Sequence, residues 1–261
     1  MVVVSPHQDD ETLGCGGTIA LLRRRGVEVS VVFMMDGSRS HKPLIPGDEL
    51  SAVRRQEATA AVVRLGIPAD HVSFLDFPEG KLVRVVDAAR ESLGEALARR
   101  RPAEVFVPSA IDPHEDHLYT NLATRDALRL LGDPVVVNEY PVWCWYHWPV
   151  VPLPLGKGSV HPPMTPRREL PRVITNTRAM GGGDRVLREF PTVVDVRAAL
   201  GAKRHALDAY ESQMTRFRPD PRWTTLGDVG NGSFVSAFFT GQERFRRYRL
   251  SAPVRDRIVR T

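Results

Sequence analysis

The sequence predicts an α/β fold, a doubly wound, mostly parallel sheet with helices on both faces and an irregular C-terminal extension. Three observations carry that reading. Short β-branched runs alternate with helical stretches of ten to sixteen residues over positions 2–140, the pattern of parallel strands joined by helical crossovers. Residues with metal-ligand chemistry directly follow two of the runs, at Ser5-Pro6-His7-Gln8-Asp9-Asp10-Glu11 and Asp112-Pro113-His114-Glu115-Asp116-His117. From Pro141 onward the alternation stops and prolines, glycines and aromatics dominate to Gly183.

In order, Val2–Ser5 reads as a strand and Thr18–Arg25 as a helix stopped by Gly26. Val27–Met35 is the most β-branched run and leads into the loop Asp36-Gly37-Ser38. His41–Asp48, with two prolines and a glycine, reads as a mobile loop. Leu50–Leu65 has helical spacing and ends at Gly66-Ile67-Pro68. Val72–Leu75 is a short strand, turned by Asp76–Gly80. Val85–Arg99 is helical, Glu104–Pro108 a strand, Leu118–Leu131 helical and Val135–Tyr140 a strand. Helical character returns at Arg197–Gln213, and Trp223–Phe239 reads as loop and edge strand. There is no internal repeat. The expectation is one domain over 1–261, with a Rossmann-like core at 1–140 completed by an aromatic loop and C-terminal elements at 141–261.

The 261 residues are 42% apolar, enough for a real core, and no run approaches the roughly 18 apolar residues of a membrane helix. The first apolar run is four residues with no basic stretch before it, a strand rather than a signal peptide. Cys15 and Cys144 are far apart and fit a reducing cytoplasm better than a disulfide scaffold. Cys15, in Gly14-Cys15-Gly16-Gly17, reads as a small residue in a tight turn. The net charge of +5 comes from a chain in which only four of 36 basic residues are lysine. The arginines fall at expected helix ends, where cations complement the helix dipole, and show no nucleic-acid patch with interleaved aromatics.

In an open parallel sheet, ligands sit beyond the carboxyl ends of the strands, and both His/Asp clusters occupy that rim. His7, Asp10 and His117 form a two-histidine, one-carboxylate set with an open position, an arrangement used by catalytic zinc. Such an ion lowers the pKa of water toward ~7 and polarises a carbonyl. Asp9 is left over as a general base. His114, as an imidazolium, stabilises an oxyanion and protonates a leaving amine. Asp116 orients His114 or His117. Together these residues describe an amide hydrolase. Taken singly, the clusters have plainer readings: acids in a first helical turn and a surface His-x-x-His. Glu11 reads as a structural first-turn acid, and His41, His71, His147, His161 and His205 read as structural.

Pro6-His7-Gln8-Asp9-Asp10-Glu11 resembles the P-H-P-D-D-E signature of the PIG-L/LmbE family of zinc-dependent N-acetylglucosaminyl deacetylases, and His114–His117 resembles its H-P-D-H. Gly14–Gly17, Arg54-x-x-Glu57-x-x-x-Ala61 with Leu65-Gly66, Phe74–Leu82, and Lys203 with Ser212-Gln213 are similar to further family segments, so the likeness spans positions 2 to about 213. The resemblance implies a Zn2+ cofactor on His7, Asp10 and His117, Asp9 as base, His114 as electrostatic catalyst and Arg54 as a substrate-hydroxyl contact. It also implies an N-acetylated amino-sugar glycoside as small-molecule partner, in natural-product or thiol-cofactor biosynthesis, with no nucleic-acid partner and no stable membrane insertion. Gln8 and Glu115 replace the family's prolines; Glu115 adds a charge expected to raise the pKa of His114. For Trp143, Trp145, Tyr146 and Trp148, core packing and pocket lining are both open. The alternative reading is a non-catalytic binding module on the same fold, against which Gly14-x-Gly16-Gly17 lacks the G-x-G-x-x-G order. Segments 41–48 and 156–183 are candidate lids.

Overall fold

A computed structural model of the protein describes residues 1–145 and 185–250. Tyr146, His147, Trp148, His161 and the 156–183 segment lie outside the described residues. Five strands run parallel: β1 (Val2–Ser5), β2 (Ser30–Met35), β3 (Val72–Phe77), β4 (Glu104–Pro108) and β5 (Val135–Tyr140). Two antiparallel strands, β6 (Thr192–Asp195) and β7 (Gln242–Leu250), extend the β5 edge, giving the order β3-β2-β1-β4-β5-β7-β6. The chain winds outward from β1 in both directions, so the crevice between the ends of β1 and β4 is the topological switch point.

The helices are α1 (Asp10–Arg24), α2 (Gly47–Arg64), α3 (Val86–Arg100), α4 (Glu115–Leu131), α5 (Arg185–Glu189), α6 (Leu200–Leu207), α7 (Glu211–Met214) and α8 (Ser233–Ala237). Because strand side chains alternate, each strand feeds two cores. Val3, Val31, Phe33 and Phe106 pack against Leu13, Ile19, Ala58, Val62 and Leu207, from α1, α2 and α6. Val2, Val4, Val32, Met34, Val105 and Val107 pack against Leu93, Leu97, Ala123 and Ala127, from α3 and α4. No helix among the described residues is long and apolar enough to cross a membrane.

Three expectations are corrected. First, α1 starts at Asp10, not Thr18, and breaks at Cys15 (φ −146°) instead of waiting for a turn to end. Its glycines serve close packing: a Cβ on Gly14 would lie 2.3 Å from the Tyr140 ring, and one on Gly17 2.6 Å from Val196. Second, Arg197–Gln213 is not one helix but a 3-10 turn followed by α6 and α7. The interruption between them turns the Tyr210 hydroxyl onto Glu11 at 2.6 Å. Third, Trp223–Phe239 contains no strand: it holds a 3-10 turn at Leu226–Gly232 and then α8. The strand at the sheet's edge beyond β5 is β6, and β7 lies between the two. Arginines at 244, 246, 247 and 249 masked the alternation of β7, whose Phe245 meets Phe106 edge-on at 5.1 Å.

Candidate active site

β1 ends at Ser5, whose hydroxyl donates to the His7 carbonyl at 2.7 Å and helps fold the chain back at the rim. The next residues reverse direction sharply: Asp9 adopts φ 139°, ψ −30° before α1 begins. A side-chain-bearing residue rarely takes that conformation, and strain of this kind concentrates at functional positions. The reversal aims His7, Asp9 and Asp10 into the crevice. From the other side, β4 delivers Asp112, and His114 caps α4 by accepting the Asp116 backbone N–H through Nδ1 at 3.2 Å.

The clusters meet. Asp10 Oδ2 lies 3.1 Å from His7 Nδ1 and 3.1 Å from His117 Nε2. Ligand atoms of His7, Asp10 and His117 all lie within 4.8 Å of one another, and all three residues are buried. Behind them stand two further carboxylates. Asp116 Oδ2 is 3.3 Å from His7 Nε2 and accepts from Gly80 N at 2.8 Å. Asp112 Oδ1 is 3.4 Å from His117 Nδ1, while its Oδ2 accepts from Val142 N at 2.9 Å and Trp143 N at 2.8 Å. Carboxylates behind imidazoles fix ring orientation and tautomer in metal centres. Asp116 therefore faces His7, and the carboxylate that faces His117 is Asp112, which sequence reasoning quoted within the second cluster but gave no role. Both ring nitrogens of His117 are buried near these oxygens, yet neither makes a hydrogen bond. Buried imidazole nitrogens are normally satisfied; two histidines and a carboxylate converging around such a nitrogen fit a divalent cation.

Electrostatics separate the adjacent acids. Burial works against ionising Asp10, but His117 and His7 hold its carboxyl well below the usual range. Burial, then the charge of Asp10, pushes Asp9 well up, the direction that favours a proton acceptor. Gln213, on α7, donates through Nε2 to Asp9 Oδ2. Ser212 is anchored through its N–H and hydroxyl to Glu57, at 2.7 Å each. Glu11 accepts from Tyr210 at 2.6 Å and from the Asp9 N–H at 3.2 Å, and burial raises it to about 7.

Burial, followed by the positive charges of His7 and His117, lowers His114 to about 4, the direction that favours a neutral ring. Glu115 is exposed on the first turn of α4 and does not raise it. With Nδ1 accepting from Asp116 N, the single ring proton resides on Nε2.

Around these groups lies a cavity of ≈ 210 Å³ that includes Arg54, Ser40, His41, Trp143 and Gln213. Arg54 is buried, donates to Ser40 Oγ at 2.8 Å, and its Nε has no partner. Sequence reasoning set His41 aside as structural and expected a mobile loop around it. It is in fact buried, stacked on Trp223 (4.0 Å, 16°), and its Nε2 lies 2.8 Å from Thr224 O, which anchors the 41–48 segment at the cavity. Trp143 lines the cavity and stacks on Phe234 at 4.7 Å. His41 and Gln213 sit far from either cluster in the chain, so spacing gives no signal for them; only the resemblance had marked Ser212-Gln213.

At its switch point the parallel α/β sheet thus gathers two histidines and an aspartate that could hold a metal ion, beside a further buried carboxylate, Asp9. The family described as PIG-L: GlcNAc-PI de-N-acetylase matches residues 2–128. The chain is 28% identical over 138 residues to a diacetylchitobiose deacetylase of Thermococcus kodakarensis, a match covering 51% of each, so it spans about half of that relative's length. It is 28% identical over 254 residues to a 1D-myo-inositol 2-acetamido-2-deoxy-alpha-D-glucopyranoside deacetylase of Mycolicibacterium smegmatis, covering 87% of this chain and 84% of that one. Its fold is that of N,N'-diacetylchitobiose deacetylase from Pyrococcus horikoshii, with TM-score 0.61, 19% identity, and coverage of 95% of this chain and 82% of the other. Residues 2–128 of this chain thus match the PIG-L family model. They hold His7, Asp9, Asp10, Arg54, Asp112, His114, Asp116 and His117, whereas Trp143, Gln213 and Thr224–Phe234 come from beyond them.

Proposed function

We propose that the protein is a zinc-dependent amide hydrolase that removes the N-acetyl group from an N-acetylglucosamine-type glycoconjugate. The observation that carries this reading is the convergence of His7, Asp10 and His117 within 4.8 Å beside Asp9, which lines the same cavity as His7 and Asp10. Two imidazoles and one carboxylate suit Zn2+, which when bound supplies a Lewis acid for the amide carbonyl and an acidified water. Asp9, basic by burial and held by Gln213, takes a proton from the attacking water. His114 donates its Nε2–H to the carbonyl oxygen as negative charge develops there. As a neutral donor it needs no change of charge before the reaction. Asp9, once protonated, is the group that returns a proton to the departing amine. Arg54, with an unpartnered Nε, offers a donor to sugar hydroxyls. Both named curated relatives are deacetylases of N-acetylated sugars, which supports the substrate class. Cys15 and Cys144, buried and not joined in a disulfide, suit the cytoplasm.

Two measurements test the reading. Metal analysis of the purified chain should find one equivalent of zinc, lost in His7→Ala and in His117→Ala. Acetate release should occur from N-acetylglucosaminides. A purified chain that neither carries nor responds to zinc would falsify the hydrolase in favour of a binding module. In Asp9→Asn, kcat should fall by about 10²–10⁴, the worth of a positioned general base, with zinc content unchanged; full activity in that variant removes Asp9 from the role.

A further inference from the structure

The cavity at the metal-ligand set is not alone. A second hollow of ≈ 500 Å³ shares Ser40, Glu79 and His114 with it, so the two form one groove with His114 at the divide. The halves differ in chemistry. Among the described residues, the second hollow is bordered by the charged Arg39, Glu79, Glu115 and Asp116, with Pro113 its one aliphatic side chain. The first, past the metal ligands, has an apolar wall in which Trp143, Leu226 and Val229 are half-buried. Phe234 backs Trp143 at 4.7 Å, and the Trp143 ring lies 6.4 Å from that of His114 at an angle of 27°. The wall therefore runs up to the group assigned to the carbonyl oxygen. Leu226 and Val229 are carried on a segment held by its own capping bonds: Asp228 accepts from Thr225 N at 2.8 Å and Thr225 Oγ1 at 3.0 Å. That segment also carries left-handed Gly230 and Asn231, so the wall is set in place before any ligand arrives. An apolar surface left half-covered beside a polar site is where an apolar part of a ligand gains most by leaving water.

Resting on the deacetylase reading, we infer that this groove selects an amphipathic substrate: polar sugar toward Arg39 and Glu79, and an apolar substituent next to the scissile amide against Trp143, Leu226 and Val229. The apolar substituent has two possible sources, an aglycone or an acyl chain longer than acetyl.

The test uses the zinc-loaded full chain and four ligands: free N-acetylglucosamine, N,N'-diacetylchitobiose, phenyl N-acetylglucosaminide and N-hexanoylglucosamine. At least one of the last two should exceed diacetylchitobiose in kcat/KM by about tenfold or more, the discrimination a hydrophobic wall supplies. The one that does so names the source. Val229→Asn and Leu226→Gln, both at half-exposed positions, should abolish that preference and leave free N-acetylglucosamine turnover unchanged. Calorimetric binding of the same ligands to Asp9→Asn gives a second readout that needs no turnover. If the apolar ligands bind preferentially but nothing is hydrolysed, the groove stands and the deacetylase reading falls. If hydrolysis proceeds with no preference, or the preference survives both wall substitutions, the groove inference is overturned while the deacetylase reading stands.

Discussion

Asp9 holds a φ of 139° and a buried carboxylate whose pKa is pushed upward, first by burial and then by Asp10. Both features cost folding free energy, and only glycine adopts such a φ freely. Asp9→Gly should therefore abolish acetate release while raising the urea midpoint, a gain on the order of 1–2 kcal/mol; a loss of stability would show that the Gln213 contact outweighs the strain. His117 titrates in the opposite sense to an isolated buried histidine. Burial opposes its charging, but Asp10 and Asp112 prevail and lift it from 6.5 to about 9. A raised folded-state pKa stabilises below the unfolded value and loses that contribution as pH climbs through the folded one. The metal-free protein should thus lose stability between about pH 6.5 and 9, read as falling melting temperature after chelation, and His117→Asn should flatten that slope. The candidate ligands stood out in sequence because His7 and Asp10 closely follow the end of β1 and His117 sits in a His/Asp cluster beyond β4. Asp112 carried no separate signal, since an acid before a proline is ordinary turn chemistry. The charge state of His114 depends on burial and on the charges of the His7 and His117 rings packed beside it, which spacing does not encode.

α1 owes its shape to residues more than 180 positions away. Its break at Cys15 leaves the N–H groups of Gly17 and Thr18 without helical partners, and Glu243 of β7 accepts both, at 2.8 and 2.7 Å. Lys203 of α6 neutralises Glu243 at 2.7 Å and donates to Leu13 O at 2.8 Å, so both ends of the break are closed by one buried ion pair. Removing one partner of such a pair leaves a buried charge: Lys203→Met should cost about 3–5 kcal/mol in urea denaturation. A smaller cost would mean that the two backbone N–H donors suffice for Glu243. The strands and crossovers of the first 140 residues were legible because hydrophobic period and glycine stops agree there. β6 and β7 were not, because β6 is short and nowhere fully buried, and the adjacent charges of the Arg-rich β7 make it resemble a solvated loop. The break in α1 was read as a turn for a related reason: Gly-Cys-Gly-Gly looks permissive until Tyr140 and Val196 are seen pressed against it.

At the scale of the molecule, the proposed metal ligands join the loops after β1 and β4, strands that are neighbours in space and about a hundred residues apart in sequence. An ion that binds only the folded arrangement stabilises all of it: at a thousandfold excess over Kd the gain is about 4 kcal/mol. Zinc loading should raise the melting temperature of the whole domain in a single transition, and His7→Ala should remove the increment. The mostly parallel sheet and the meeting of both clusters at its rim were expected from sequence; the strand order and the position of Gln213, His41 and Leu226–Val229 were not, because the latter reach the crevice from segments with no chemical signature of their own.

Position 128, where the family match ends, divides the cavity's residues by the work assigned to them. The residues assigned to chemistry lie before it, while the aromatic and aliphatic wall and the glutamine that steadies Asp9 lie after it. Substrate preference in this chain can therefore drift by change in the later segment without disturbing the reactive groups. Breeding a new specificity amounts to grafting a different tail onto an unchanged catalytic stem, provided the graft keeps a Gln213 equivalent.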